Sequence, residues 1–297
     1  MILSITIDES LQNISLYKIL NTNLKLSKRL ITKLKNNKQI FCNNKEVFTN
    51  YIVKLNDVIS VDVDFDENIN DNIVPTDINI DIIYEDDSLI AINKPSNMPT
   101  HPSCNHFEDT LANALKNYYI KNNINKTIRP INRLDKDTSG IVIFAKNQYI
   151  QEHLISQMKA NQFEKEYISI VEGKLDNKEG IINLPIAREN DSIIKRCVND
   201  LGDNAITKYK VIDEIKIDEN VYSKLLIKLE TGRTHQIRVH MSHIGHPIIG
   251  DSLYGNKSNL INRQALHCFH LSFVHPITNK KISLEAKIPE DIQRLQL

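Results

Sequence analysis

Residues 129–146 read R-P-I-N-R-L-D-K-D-T-S-G-I-V-I-F-A-K, and they hold the residue types and spacing best suited to chemistry. Arg133 and Asp135 stand two apart in a polar stretch. A Thr-Ser-Gly turn and a β-branched run follow, which predicts a buried strand with Asp135 on the loop that feeds it. A carboxylate close to a guanidinium at the mouth of a buried strand suits chemistry on a polar substrate. A second stretch, T-G-R-T-H-Q-I-R-V-H at 231–240, adds Arg233 and Arg238. A guanidinium brought beside Asp135 would favour the ionised carboxylate.

Each of these has a plainer reading. Asp135 could cap a loop by bonding backbone N–H groups, and Asp137 reads as a turn residue before Thr138-Ser139-Gly140. Arg233 and Arg238 could clamp an anionic partner without touching a carboxylate, and Tyr167, in K-E-Y at 165–167, could be a core aromatic. Two carboxylates two residues apart on one loop are a weak case for a retaining glycosidase. His243-Ile244-Gly245-His246 spells the H-I-G-H tetrapeptide of class I aminoacyl-tRNA synthetases. It falls near the end of the chain with no K-M-S-K-S after it, so that reading is rejected. His235, His240, His243 and His246 lack H-E-x-x-H spacing and a nearby Cys pair, so no metal is expected.

The elements around these residues read as strands at 88–93, 140–145, 167–172, 205–212, 224–230, 267–274 and 281–287. Helices are predicted at 110–119, 148–161 and 234–244 from apolar spacing such as Ile150, Leu154 and Met158. Strands outnumber helices without regular alternation, which predicts an α+β fold over a doubly wound sheet.

With 297 residues the chain has room for a catalytic domain of about 200 residues and a small module. No apolar run approaches the ~18 residues of a membrane span, so no membrane partner is expected. The N-terminus, M-I-L-S-I-T-I-D-E-S, lacks a basic start and a long apolar core, which predicts no secretory signal. Cys42, Cys104, Cys197 and Cys268 lie far apart without a C-x-x-C pair. Reduced thiols in a cytoplasmic protein follow, and a monomer is expected.

The formal net charge of zero hides opposed blocks. Seven basic residues and no acid lie between Lys25 and Lys45: Lys25, Lys28, Arg29, Lys33, Lys35, Lys38 and Lys45. Eleven acids and no Lys or Arg lie between Asp57 and Asp87. Such a run is often only a solvated face, but an unopposed basic patch attracts phosphates. Helical spacing at 11–20 and 25–35 with strands at 39–42 and 58–61 makes 1–63 a first unit. The polar, acidic stretch 64–80 suits a linker, and 81–297 a second domain.

The 129–146 segment resembles the signature loop of RluA/RluD-type pseudouridine synthases, H-R-L-D-x-x-T-S-G, with Asn132 at the His position. The resemblance extends over 81–297 through Asn93-Lys94-Pro95 with His101-Pro102, where Asn97 takes a Gly position. It continues through Lys165-Glu166-Tyr167, the 231–240 decamer, Gly250-Asp251, Leu266-His267 and Phe273-Val274-His275-Pro276. Residues 1–63 resemble, more loosely, an S4-type RNA-binding module at Ser27, Arg29, Leu34, Ile40 and Asn43, with Asn36 and Asn44 at Gly positions. The resemblance implies a mixed, mainly antiparallel central sheet and the isomerisation of uridine to pseudouridine in RNA. That reaction has no net redox change or hydrolysis, so no cofactor is expected.

Asp135 would act beside the ribose, as nucleophile or as base, with Arg238 its implied partner and Arg233 the second choice. Arg133 would enter the space left by the flipped uridine, and Tyr167 would stack on or position the ring. Lys25, Lys28, Arg29, Lys33, Lys35 and Arg233 would contact RNA. Ribosomal RNA is the expected substrate, transfer RNA the alternative. The competing class is a non-catalytic RNA-binding assembly factor, against which intact Arg133, Asp135, Tyr167 and Arg238 speak.

Overall fold

The computed structural model describes residues 1–65, 72–190 and 192–296. The first part contains β1 (Ile2–Thr6), α1 (Leu16–Thr22), α2 (Lys28–Asn36), β2 (Ile40–Cys42), β3 (Lys45–Glu46) and β4 (Val58–Asp62). The four strands form their own sheet in the order β1-β4-β2-β3. Buried Asp57 ties its loops together, accepting from Asn43 Nδ2 (2.9 Å), Tyr51 OH (2.9 Å) and the Lys54 N–H (2.8 Å).

Two expectations are corrected here. Residues 11–15 are not helical: the Asp8 carboxylate accepts from the Ser10 and Leu11 N–H groups and holds a turn, so α1 starts only at Leu16. Asn44 is left-handed (φ 63°), but Asn36 is the last residue of α2, and the left-handed residue after it is Lys38 (φ 55°).

The rest comprises β5 (Asp81–Glu85), β6 (Leu89–Lys94), α3 (Leu111–Lys121), β7 (Arg129–Pro130), β8 (Ser139–Ala145), α4 (Gln148–Lys159) and β9 (Glu164–Glu172). It continues with β10 (Glu179–Asn183), β11 (Ile186–Arg188), β12 (Arg196–Val198), β13 (Ile206–Ile217), β14 (Asn220–Leu229), α5 (Gln236–His243), β15 (Leu266–Val274), β16 (Lys281–Glu285) and α6 (Glu290–Gln293). Ten strands make one sheet whose main path is β10-β13-β14-β9-β15-β8-β6-β5. Every pairing is antiparallel except β15 with β8, so the fold is α+β with a mixed, mainly antiparallel sheet. The β13–β14 hairpin runs well beyond the predicted strands because a β-bulge at Ile212 shifts the register between Val211 and Asp213, which breaks the alternation.

Of the expected linker, residues 66–71 lie outside the described residues. Residues 72–80 carry no helix or strand and are fastened to α3: Asn113 Nδ2 donates to the Val74 carbonyl (2.7 Å), and Asp77 pairs with Lys121 (2.6 Å). The first part also contacts the rest directly. Ser27 Oγ donates to Glu152 on α4 (2.8 Å), and Asp64 receives both the Met1 ammonium (3.6 Å) and Lys126.

The parallel junction positions the site. Gly140 on β8 faces Cys268 on β15, which in turn faces Tyr167 on β9. Gly140 has φ 122°, and a Cβ there would lie 2.2 Å from the Cys268 carbonyl oxygen, so only glycine permits this approach. It is thus a close-approach glycine inside the strand. The turn itself falls earlier, where the Thr138 N–H donates to the Asp135 carbonyl (3.1 Å).

Candidate active site

A cavity of about 290 Å³ opens where the 129–138 loop, β9 and the turn before α5 converge. That is near the lower end of the size range of small-ligand pockets, roughly 300–1,000 Å³. Asp135, Arg133, Tyr167, Arg233 and Arg238 all line it, although they come from segments far apart in the chain.

The loop carrying Asp135 is held from several sides. Asn132, buried, donates from Nδ2 to the Ile141 carbonyl (2.9 Å) and accepts from the Ile143 N–H (2.9 Å), so its side chain extends the ladder to β8. The fully buried Lys94 ammonium donates to the carbonyls of Pro95 (2.8 Å), Met98 (2.7 Å) and Lys136 (3.0 Å). Burial pushes that ammonium down to about 7, with Asp137 and Asp135 pulling the other way. Arg263, clamped by both oxygens of Asp291 (2.6 and 2.9 Å), donates to the Asp137 carbonyl (3.1 Å).

The opposite wall is organised by Gln236, which accepts from Thr231 Oγ1 (2.8 Å) and the Arg233 N–H (3.0 Å) and donates to the Ile206 carbonyl (3.0 Å). This fixes the turn into α5 and aims Arg238 at the cavity. Arg238 Nη1 lies 3.2 Å from Asp135 Oδ2. Its Nε and Nη2 donate to the two oxygens of fully buried Asp251 (2.6 and 2.8 Å), and its guanidinium lies 5.0 Å from the Tyr254 ring centre. Burial opposes the charge on Arg238, but Asp251 and then Asp135 more than offset it, so its proton is held more tightly than usual. His235, left-handed at φ 59°, places Nε2 3.7 Å from Asp135 Oδ2 and Nδ1 2.8 Å from the Tyr254 hydroxyl. Burial holds the imidazole below its ordinary value, which favours the neutral ring. Burial, then Cys268 and Asp135, pushes the Tyr167 phenol well above its usual range.

The profile described as RNA pseudouridylate synthase matches residues 88–243, more than half of the chain and both walls of this cavity. The chain belongs to the RNA pseudouridylate synthase family. It is similar over 293 residues (40% identity, 99% of this chain and 96% of the relative) to "Uncharacterized RNA pseudouridine synthase YhcT" of Bacillus subtilis (strain 168). It is 39% identical over 244 residues to "Ribosomal large subunit pseudouridine synthase D" of Blochmanniella floridana, covering 76% of this chain and 74% of that one. The fold is similar to that of Human RNA Pseudouridylate Synthase Domain Containing 1: TM-score 0.60, 24% identity, 73% of this chain and 87% of that one. The enzyme is therefore an RNA-directed isomerase, a pseudouridine synthase of the RluA/RluD type, which replaces the non-catalytic alternative.

Within this synthase, Arg238 and not Arg233 contacts Asp135. Arg233 turns to the Asn204 carbonyl (2.9 Å) and Asp203 (3.7 Å). Arg133 is exposed at the cavity rim and makes no ion pair among the described residues. Lys25, Lys28, Arg29 and Lys35 are exposed on or beside α2, and Lys33 is half-buried. The four histidines go separate ways: His240 is buried between Thr207 Oγ1 and the Leu184 carbonyl (2.9 Å each), His246 meets the Glu172 carbonyl (2.9 Å), and His243 is exposed.

Sequence reasoning missed His235, Asp251, Tyr254 and Lys94 as parts of the site. His235, Asp251 and Lys94 fall inside the matched motifs, which was the available signal. Tyr254 carries none, because only the fold brings it to Arg238.

Proposed function

We propose that the synthase isomerises uridines of ribosomal RNA at Asp135. The observation that carries this reading is the Asp135 carboxylate at the cavity wall, held by an Arg238 that is itself fixed by buried Asp251. A carboxylate kept in one place beside the ribose of a flipped uridine can act as nucleophile or base without reorganising. Tyr167 forms the neighbouring wall and suits stacking or positioning of the uracil. Exposed Arg133 is free to enter the duplex space that the flipped base leaves, which offsets part of an unstacking cost of a few kcal/mol. Arg233, at the rim, suits a phosphate contact.

Residues 1–63 act as the S4-type RNA-binding module, 64–80 as the connection and 81–297 as the catalytic domain. The basic face of α2 at Lys28, Arg29 and Lys35 grips phosphates, joined by Lys25 and Lys33. The enzyme works as a cytoplasmic monomer. Ribosomal RNA is favoured over transfer RNA by the named large-subunit relative and by the S4-type pattern.

The test is tritium release from RNA labelled at carbon 5 of uridine, with ribosomal and transfer RNA supplied separately. Release from ribosomal RNA by wild type, none by Asp135→Asn, and similar RNA affinity for both are expected. Turnover by Asp135→Asn would remove that carboxylate from the mechanism, and release only from transfer RNA would replace the substrate.

A further inference from the structure

Among the described residues, Lys165 is a cation of the cavity with no counter-charge. It precedes Tyr167 by two residues on β9, so the two side chains leave the same face of the strand, and both line the cavity. Its neighbours are apolar: Leu271 is its partner on β15, and Leu229 shares the cavity wall. Its Nζ reaches the turn before α5, where a Cβ on Gly232 would stand 3.4 Å away. Glu166, the adjacent acid, is occupied by Lys228 (2.5 Å) and His270 (3.6 Å). Among the described residues Lys165 has no carboxylate within ion-pair distance. Burial lowers its proton affinity, and the Cys268 thiol alone acts against that.

The other cations of the cavity are committed or peripheral. Arg238 is bound by Asp251 and Asp135, Arg233 by Asp203 and a carbonyl, and Arg133 is exposed at the rim. A half-buried ammonium without a partner is costly to maintain, and at a cavity wall it calls for an anionic or strongly electron-rich occupant. Asp135, Tyr167 and Lys165 all line this one cavity, the last two from the same face of β9.

We propose that Lys165 is a further catalytic residue whose ammonium contacts the uracil and carries the negative charge that the ring acquires on leaving the ribose. This rests on the reading of Asp135 given above but not on its choice of role. When the C1′–N1 bond breaks, its electron pair stays with the ring, and the charge spreads over N1, O2, C5 and O4. The electron-poor sugar is taken up by Asp135 at C1′, or gives its C2′ proton to Asp135 and later regains it. In both routes C5 then bonds C1′ with the ring's electron pair, the C5 proton departs and N1 receives a proton, so the product is an isomer of the substrate. Both routes pass through the same uracil anion, which a preplaced ammonium stabilises.

The experiment compares wild type, Lys165→Met, Lys165→Gln, Lys165→Arg and Asp135→Asn. It reads the single-turnover rate of tritium release at saturating enzyme, the Kd for the same RNA and its salt dependence. Lys165→Met and Lys165→Gln should lose roughly 10²–10³-fold in rate, the range for removing one such donor, with Kd changed less than about threefold, and Lys165→Arg should recover part. Should the Met variant fail to fold, the polar Gln variant decides the matter. A neutral variant within about threefold of the wild-type rate would overturn the inference. So would a weakened Kd and a salt slope reduced by about one at unchanged rate, the signature of a phosphate contact. If Asp135→Asn is inert and the neutral Lys165 variants are not, only the present inference falls. If Asp135→Asn turns over, the reading of Asp135 falls instead.

Discussion

At the residue scale, the site depends on a carboxylate–guanidinium–carboxylate line in which the outer acid fixes the inner one. Asp251 is fully buried and gives both oxygens to Arg238, which leaves Nη1 for Asp135. Removing the guanidinium would strand a buried charge, a change that costs roughly 3–5 kcal/mol when a buried pair is broken. Arg238→Ala should therefore lower the unfolding free energy by about that amount in urea melts, and pairing it with Asp251→Asn should restore part. A loss under about 1 kcal/mol would mean that solvent reaches Asp251 as soon as Arg238 is gone. Arg238→Lys keeps the charge without the fork, so it should be less destabilised than the Ala variant and still slow.

At the element scale, the β8–β15 junction carries a pH-dependent contact. His267, buried on β15, meets Ser139 Oγ on β8 through Nδ1 (2.9 Å), and burial pushes its pKa down to about 4. An unfolded histidine titrates near about 6.5. Between those values the unfolded chain binds a proton that the folded chain refuses, so stability falls as pH drops from about 6.5 to about 4. The interval corresponds to about 3 kcal/mol. Other groups also destabilise the fold in acid, so the measurement is the gap in urea stability between wild type and His267→Asn at pH 7 and at pH 4. It should narrow by about 3 kcal/mol on acidification, and a constant gap would rule the contact out as a source of acid sensitivity.

At the scale of the whole molecule, charge is segregated along the chain while the first part stays tied to α4 and to Lys126. Lys28, Arg29 and Lys35 stand exposed on α2, whose N-cap Ser27 reaches Glu152 of α4. The basic face is therefore tied to α4. Replacing the three by Gln should weaken RNA binding and lower the magnitude of the log Kd against log salt slope by up to about 2–3, since each phosphate no longer neutralised removes about 0.7–0.9 from it. An unchanged slope would place the phosphate-binding groups on the catalytic domain. Asparagine also does unusual work across the molecule. Eight of the twelve non-glycine residues with positive φ among the described residues are Asn, including Asn97 at a family Gly position. Asn tolerates that conformation better than most residues, which is how a chain with eight glycines makes its tight turns.

Strand β8, helices α3 and α4, the α+β class and Asp135, Tyr167 and Arg238 as candidates, which now line one cavity, were legible in the sequence. Apolar periodicity and contiguous motifs are local properties. The start of α1 was misread because an Asp8 side-chain turn competes with helix there. The extent of the β13–β14 hairpin was hidden by the β-bulge at Ile212, which puts the apolar alternation out of phase. Asn132 stands at the family's His position, and its part in bonding the loop to β8 could not be read from the substitution. The resemblance already pointed to Arg238 before Arg233 as the partner of Asp135, and the 3.2 Å contact agrees. That Tyr254 packs on Arg238, and that Lys165 has no carboxylate partner among the described residues, were decided by tertiary structure alone. Those contacts join β8, β9, β15 and the turn into α5 across roughly a hundred residues of chain. One-dimensional order records which groups are available, but only the packed sheet fixes the distances between their charges.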